Sequence, residues 1–312
     1  MKHNRLFIII YMALFLAVSL SSCSGKRGGA AVRSVYYWAT TLDIDSTKAA
    51  FLRVHSVSRM YVRFFDVVAD ESGRSVPNAT LQFASRVPDG VDVVPTVFVM
   101  PECMRRDRET LARNIVRRVR QMCATNGVSG VGEMQIDCDW TLSTRSAYND
   151  FMRLMLRECH ANRLRLSSTI RLHQLAQTPP PADRGVLMMY NTGDVTNPKC
   201  RKPILDMTDA APYLAYLKDY PLPLTAAYPV FSWRVLYRGG RFVGIMHYDG
   251  EYPVLPGDSI VVHAPSAADI AGAIRSVGKR RREANSEIIL FDLSNKNIKR
   301  LKPCDYETFY NL

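Results

Sequence analysis

The sequence contains no C-x-x-C pair, no G-x-S-x-G stretch and no glycine-rich turn after its first strand-like run. The first absence leaves no visible zinc knuckle or thioredoxin-type redox motif. The second removes the usual serine nucleophile elbow, and the third argues against an open, doubly wound dinucleotide-binding sheet. No His, Asp and Glu residues fall at metal-ligand spacing, so neither a metal nor another cofactor is expected. Long apolar runs are also missing, except for one near the beginning.

That run spans Leu6 to Leu20, behind Lys2 and Arg5, and is too short and wrongly flanked for a permanent transmembrane helix. Its ending, Leu20-Ser21-Ser22-Cys23, resembles the bacterial lipoprotein signal. The resemblance implies that residues 1–22 are a signal peptide and that Cys23 becomes the lipidated N-terminus. Residues 23–33, "CSGKRGGAAVR", lack an apolar pattern and are expected to be a flexible tether, with one domain over 34–312. The expected location is the bacterial cell envelope, on a membrane and facing an extracytoplasmic space, the periplasm.

With 47% hydrophobic and 22% charged residues, the chain has the composition of an ordinary globular protein with a sizeable core. The formal charge of +12 falls to +10 without Lys2 and Arg5. The basic residues that remain cluster at 105–120 and at Lys279-Arg280-Arg281-Arg282. Solvated helix faces explain these clusters most simply, and attraction to anionic headgroups or an acidic glycan is the functional alternative. Nucleic acid is not expected as a partner, since no binding module is recognisable. Of the six cysteines after Cys23, Cys123 and Cys159 sit near the ends of two expected helices and are the first pair to test for a disulfide. Buried free thiols are the default.

Eight strand-like runs appear, at 35–41, 59–68, 91–100, 132–140, 164–172, 185–191, 224–233 and 287–293. Apolar spacing predicts helices over 107–125, 143–161 and 266–282, with shorter ones at 46–56 and 208–218. Ser266 and Asp269 form a capping box at the start of the third. Strands alternating with helices in this way are what a (β/α)8 TIM barrel requires. The barrel is expected to be irregular. Between strands two and three only 81–86 could be helical, and after strand eight little remains beyond "DYETFYNL". Strand seven runs on into "WRVLYRGGRFVGIMHY", where Gly239-Gly240 marks a hairpin extension standing over the face where such barrels place their chemistry.

Within "GEMQIDCDW", alternation puts Glu133, Gln135, Asp137 and Asp139 on one face and Met134, Ile136 and Cys138 on the other. In a barrel the polar row must face the lumen, where unpaired carboxylates are expensive. Arg63 on strand two, and Arg165, Arg171 and His173 on strand five, are the expected cationic partners. A buried ionic network that only holds the barrel together is one reading. The other is that Asp137, Asp139, Arg171 and His173 meet at the carboxyl ends of the strands as a site. Gln174 sits beside His173. Tyr36, Trp38, Tyr228, Phe231 and Trp233 are candidates for aromatic faces that pack on sugar rings, with core and rim packing as the alternative.

The stretch Gln135-Ile136-Asp137-Cys138-Asp139-Trp140 resembles the D-x-D-x-E signature of family 18, chitinase-like glycoside hydrolases, and Met188-Met189-Tyr190-Asn191 is similar to that family's M-x-Y-D/N. The resemblance implies Asp139 as general acid, Asp137 as the carboxylate that orients a substrate acetamido group, and Tyr190 as the stabiliser of the ring that group forms. Gln135 stands where the family has Asp, and Asp139 where it has Glu, one methylene longer. A misplacement of about 1 Å can cost on the order of 100-fold in rate. Taken together, the lipoprotein signal, "YYWATT", "YVRFFDV", "IDCDWT" and "STIRLHQL" look more like a group of uncharacterised bacterial lipoproteins with a glycosidase-like barrel. The expected function is a membrane-tethered barrel that binds, and in one version hydrolyses, a glycan. Trp38, Arg63, Arg171, His173, Gln174, Asn191, Tyr228 and Trp233 are the expected substrate contacts. The alternative is a non-catalytic lipoprotein that uses the same cleft to bind a glycan or cell-envelope polymer.

Overall fold

The computed structural model describes residues 31–312. The expected signal peptide, the lipidation site Cys23 and the tether up to residue 30 lie outside the described residues, and Val32-Arg33 already belong to the first strand. Eight parallel strands close on themselves: β1 (Val32–Tyr37), β2 (Arg59–Ala69), β3 (Asp92–Val99), β4 (Glu133–Asp137), β5 (Arg165–Arg171), β6 (Arg184–Met188), β7 (Leu224–Pro229) and β8 (Glu287–Phe291). Each pairs with the next, and β1 pairs with both β2 and β8, so no edge is left open. The fold is a (β/α)8 TIM barrel.

Helices cover the outside: α1 (Ser46–Val54), α2 (Arg108–Thr125), α3 (Arg145–Ala161), α4 (Met207–Leu214), α5 (Ala267–Arg280) and α6 (Pro303–Tyr310). Their starts are set by local chemistry. Asp45, Asp107 and Asp206 each accept a backbone N–H of the first turn, and Ser266 and Asp269 form the expected reciprocal box. Apolar residues at helical spacing, such as Tyr148, Phe151, Met152, Met155 and Cys159 of α3, are buried against the barrel.

The irregular places differ in detail from the expectation. No helix connects β2 to β3. Instead β2 turns back into a short antiparallel strand, Ser75–Asn78, and Gln82–Phe83, within the segment expected to be helical, pairs with Thr41–Leu42. The end of the chain is more substantial than expected, because α6 buries Tyr306, Phe309 and Tyr310 and the Tyr310 hydroxyl donates to the Ser34 carbonyl at 3.0 Å. Strand seven stops at Pro229, and Trp233–Arg238, Arg241–Met246 and Asp258–His263 form a separate antiparallel sheet. Gly239 and Gly240, at φ +54° and +74°, make its turn in the left-handed region that glycine enters without a Cβ clash. The six cysteines of the described residues are free, Cys123 and Cys159 among them, both buried thiols.

Three levels fill the lumen. The middle is aromatic and aliphatic, with Tyr36, Tyr61, Val94, Val186, Met188, Ala227 and Ile289 in one cluster. Gln135 crosses it, accepting from the Tyr36 hydroxyl at 2.6 Å. At the base Arg184 lies between two buried acids, with Nε 3.0 Å from Glu133 and Nη1 2.7 Å from Glu287. Arg165 and Arg59 reach the same acids from the rim at 3.4 Å. Burial opposes ionisation of Glu287, but Arg184 and Arg59 outweigh it and hold the carboxyl below its usual range. The third level is the mouth.

Candidate functional site

At the carboxyl ends of the strands lies a cavity of about 340 Å³. Asp137 and Asp139 reach it because their neighbours are held outward. Cys138 and Trp140 are buried, and the Trp140 ring stacks on Tyr148 of α3 at 5.8 Å. Asp137 is nearly enclosed, accepting from Thr169 Oγ1 at 2.6 Å and from Arg171 Nη2 at 3.0 Å. Asp139 stands at the opening with 60% of its side chain exposed and takes Arg171 Nε at 2.7 Å. One guanidinium thus bridges both acids. Burial raises the Asp137 carboxyl above the usual carboxylate range, against the pull of Arg171 and Thr169. Burial also works against charge on Arg171, but its acidic neighbours more than compensate, so it stays cationic.

A second ion pair faces the first. Arg63 Nε donates to Asp66 Oδ1 at 2.8 Å, and its guanidinium lies 5.6 Å from the Trp38 ring centroid. Trp38, Phe231, Trp233 and Phe291 form an aromatic wall, with Phe231 and Trp233 centroids 5.6 Å apart and Trp38 and Phe291 5.7 Å apart. Tyr190 packs on Phe291 at 5.2 Å and points its hydroxyl to Met188 Sδ at 3.3 Å. Its phenol is pushed upward by burial. Asn191 also lines the cavity, at φ +57°, a conformation asparagine tolerates better than most residues.

Asp137, Asp139, Tyr190, Trp38, Arg63, Arg171, Asn191 and Trp233 therefore share one cavity. Three expected contacts do not line it. Tyr228 faces outward from β7, fully buried, with its hydroxyl on Asn285 at 2.6 Å. Gln174 is buried and acts as a brace. Its Oε1 accepts the Arg171 N–H at 2.8 Å, and its Nε2 donates to the Trp140 carbonyl at 3.0 Å. His173 is not on β5 but on a short 3-10 turn after it, exposed, and its imidazole is held below its usual range by partial burial and by Arg171.

Alternation along β3 and β8 would have found Phe98 and Phe291, since they share a face with Val94 and with Ile289. Asp66 carried no such signal. A register shift between Arg63 and Phe65 changes which residues face inward, so Arg63 and Asp66 both meet the cavity. Among the described residues, no group of three or more His, Cys, Asp or Glu side chains could hold a metal ion.

Neither a family model nor a curated protein matches this sequence. Solved structures do match in shape. A chitinase from Chromobacterium violaceum superposes with a TM-score of 0.60 at 14% identity, covering 90% of this chain and 98% of that one. The spore cortex-lytic enzyme SleL of Bacillus cereus gives 0.58 at 13% identity, covering 90% and 74%. A family 18 chitinase from Cycas revoluta, solved with (GlcNAc)4, gives 0.60 at 11% identity, covering 89% and 100%. The chain has the barrel fold of these chitinase-like hydrolases.

Proposed function

We propose that the mouth of the barrel binds a glycan containing N-acetylhexosamine units. The observation that carries this reading is the aromatic wall of Trp38, Phe231, Trp233 and Phe291 standing over the Asp137–Arg171–Asp139 cluster in a solvent-open cavity. Sugar rings present apolar C–H faces and polar edges, and a site with aromatic planes beside charge-assisted hydrogen-bond groups matches both. The (GlcNAc)4 bound to the similarly folded Cycas enzyme supports the choice of sugar.

Hydrolysis by Asp139 as acid, with Asp137 orienting the substrate and Tyr190 stabilising the reacting ring, is the second reading. Its support is the pair of acids at the end of β4, one buried with a raised carboxyl and one open to solvent. Against it, Asp139 is held by Arg171 Nε at 2.7 Å and is one methylene shorter than the Glu of the family signature, whereas a general acid must reach the leaving oxygen. Binding is therefore the primary reading. Calorimetric titration of the protein with N-acetylglucosamine oligomers and cell-wall glycan, beside product analysis with Asp139→Asn as control, separates the two. Saturable binding without products supports a receptor, and products that vanish in the variant support the enzyme. No binding to any of these glycans overturns both.

The location is proposed from sequence alone. Leu20-Ser21-Ser22-Cys23 supports lipidation at Cys23 and display on the cell envelope, facing the periplasm. Incorporation of labelled palmitate into the chain, lost in Cys23→Ala, is the check.

A further inference from the structure

On the outer flank of the barrel, behind the stretch of β2 that carries Asp66, lies a groove of about 580 Å³, well within the size range of small-ligand sites. It exists because no helix connects β2 to β3. The strand Ser75–Asn78 forms one wall and α2 the other, and Phe65, Val67, Leu111 and Ile115 close the bottom. Val76 and Pro77 add apolar surface along the wall, half-buried and exposed respectively.

The rim is arginine. Arg106, Arg117 and Arg118 all border the groove, and among the described residues each hydrogen-bonds only to neutral acceptors: the Ser72 carbonyl at 3.1 Å, the Asn114 amide at 2.8 Å and the Thr80 hydroxyl at 2.9 Å. Arg118 lies 5.2 Å from the Phe65 ring centroid, and its buried Nε has no hydrogen-bond partner among the described residues. A fourth arginine, Arg74, is paired with Asp70 at 3.0 Å. Asp107, also on the rim, accepts the Thr110 N–H as the cap of α2. The cations on this rim outnumber the acids, and guanidinium groups without carboxylate partners favour phosphate or another oxyanion.

We propose that this groove binds an anionic phospholipid, with its charged headgroup on the arginine rim and the start of an acyl chain along Val76 and Pro77. An acidic glycan would satisfy the arginines but would gain little from the apolar wall and floor. A neutral lipid would do the reverse. The proposal is independent of what the mouth of the barrel binds.

The test is calorimetric titration of the purified chain with a soluble short-chain phosphatidylglycerol, beside short-chain phosphatidylcholine, inorganic phosphate and an acidic oligosaccharide. Saturable binding of phosphatidylglycerol is expected, at least about tenfold tighter than any of the other three. Arg106→Gln with Arg117→Gln, both exposed, and separately Val76→Glu are each expected to weaken it about tenfold or more, with an unchanged melting temperature showing that the fold is intact. Equal affinity for phosphatidylcholine, or for inorganic phosphate, overturns the proposal, as does tighter binding of the oligosaccharide. So does binding that neither variant changes, or no saturable binding at all.

Discussion

Arg171 Nε lies 2.7 Å from Asp139 Oδ1 while its Nη2 lies 3.0 Å from Asp137 Oδ1, so a single side chain from β5 fixes the last acid of the neighbouring strand and the acid just beyond it. The two acids and this guanidinium therefore form a triad at the mouth. Replacing Arg171 with Met should destabilise the protein by about 2–4 kcal/mol, since it leaves Asp137 buried without its cation. Urea unfolding measures the loss, and Asp137→Asn added to Arg171→Met should restore part of it. Full additivity of the two changes would show that the residues are not coupled.

Titration of Asp137 gives a prediction with a definite sign. Its folded-state carboxyl is raised above the unfolded value of about 3.9. Its contribution to stability is thus fully present below that pH and lost as pH rises through the higher folded value. Relative to Asp137→Asn, the native protein should lose stability as pH rises from about 4 upward. Unfolding free energies of both proteins across that range check the slope. A difference that grows in favour of the native protein would mean that Arg171 dominates over burial.

Arg184 should be the most sensitive position of the base. Arg184→Met leaves Glu133 and Glu287 facing each other in the lumen, and a loss of about 3–5 kcal/mol is expected in chemical denaturation. Arg165 and Arg59 approach the same acids only from the rim, at 3.4 Å, so replacing either should cost less.

Aromatic residues of the mouth should affect binding without affecting the fold. Trp38→Ala and Trp233→Ala are each expected to weaken glycan binding by about threefold to tenfold. Tyr228→Phe, which removes only the hydrogen bond to Asn285 outside the lumen, should leave binding unchanged and cost about 1 kcal/mol of stability.

Gln174→Ala breaks both hydrogen bonds that tie the end of β5 to the loop after β4. Expected effects are a stability loss of about 1–3 kcal/mol and weaker glycan binding although the residue lines no part of the cavity. Restoring the bonds with Gln174→Glu should recover part of the binding at low pH, where the carboxyl is protonated and can donate. Unaltered binding in Gln174→Ala would remove it from the site's support.

Period-two alternation made most of the barrel legible in the sequence. It placed Glu133 and Gln135 in the interior, Asp137 and Asp139 at the mouth and Arg171 inward, whereas Trp38 was chosen for its aromatic face and Tyr190 through the resemblance of its motif. Applied to strand six, the same alternation would have put Arg184 beneath Tyr190 and supplied the cation that Glu133 required. Strand ends were harder to read. His173 and Gln174 lie within three residues of Arg171, but the chain leaves the strand there and turns, so spacing no longer reports direction. Tyr228 was misjudged for the opposite reason, because aromatic character says nothing about which face of β7 it occupies. Asp66 depended on a register shift that no local composition announced.

That shift at Arg63 and Phe65 makes the charge of the mouth a matter of chain length as well as of residue type. Phe64 is the extra residue, and it lets Arg63 and Asp66, three positions apart, face the same way; under regular alternation they would face opposite ways, leaving Arg63 without its acid and the neighbourhood of Trp38 cationic. One unpaired residue thus sets the charge balance that a ligand meets at the opening, and the strands that close the barrel keep their pairing below it.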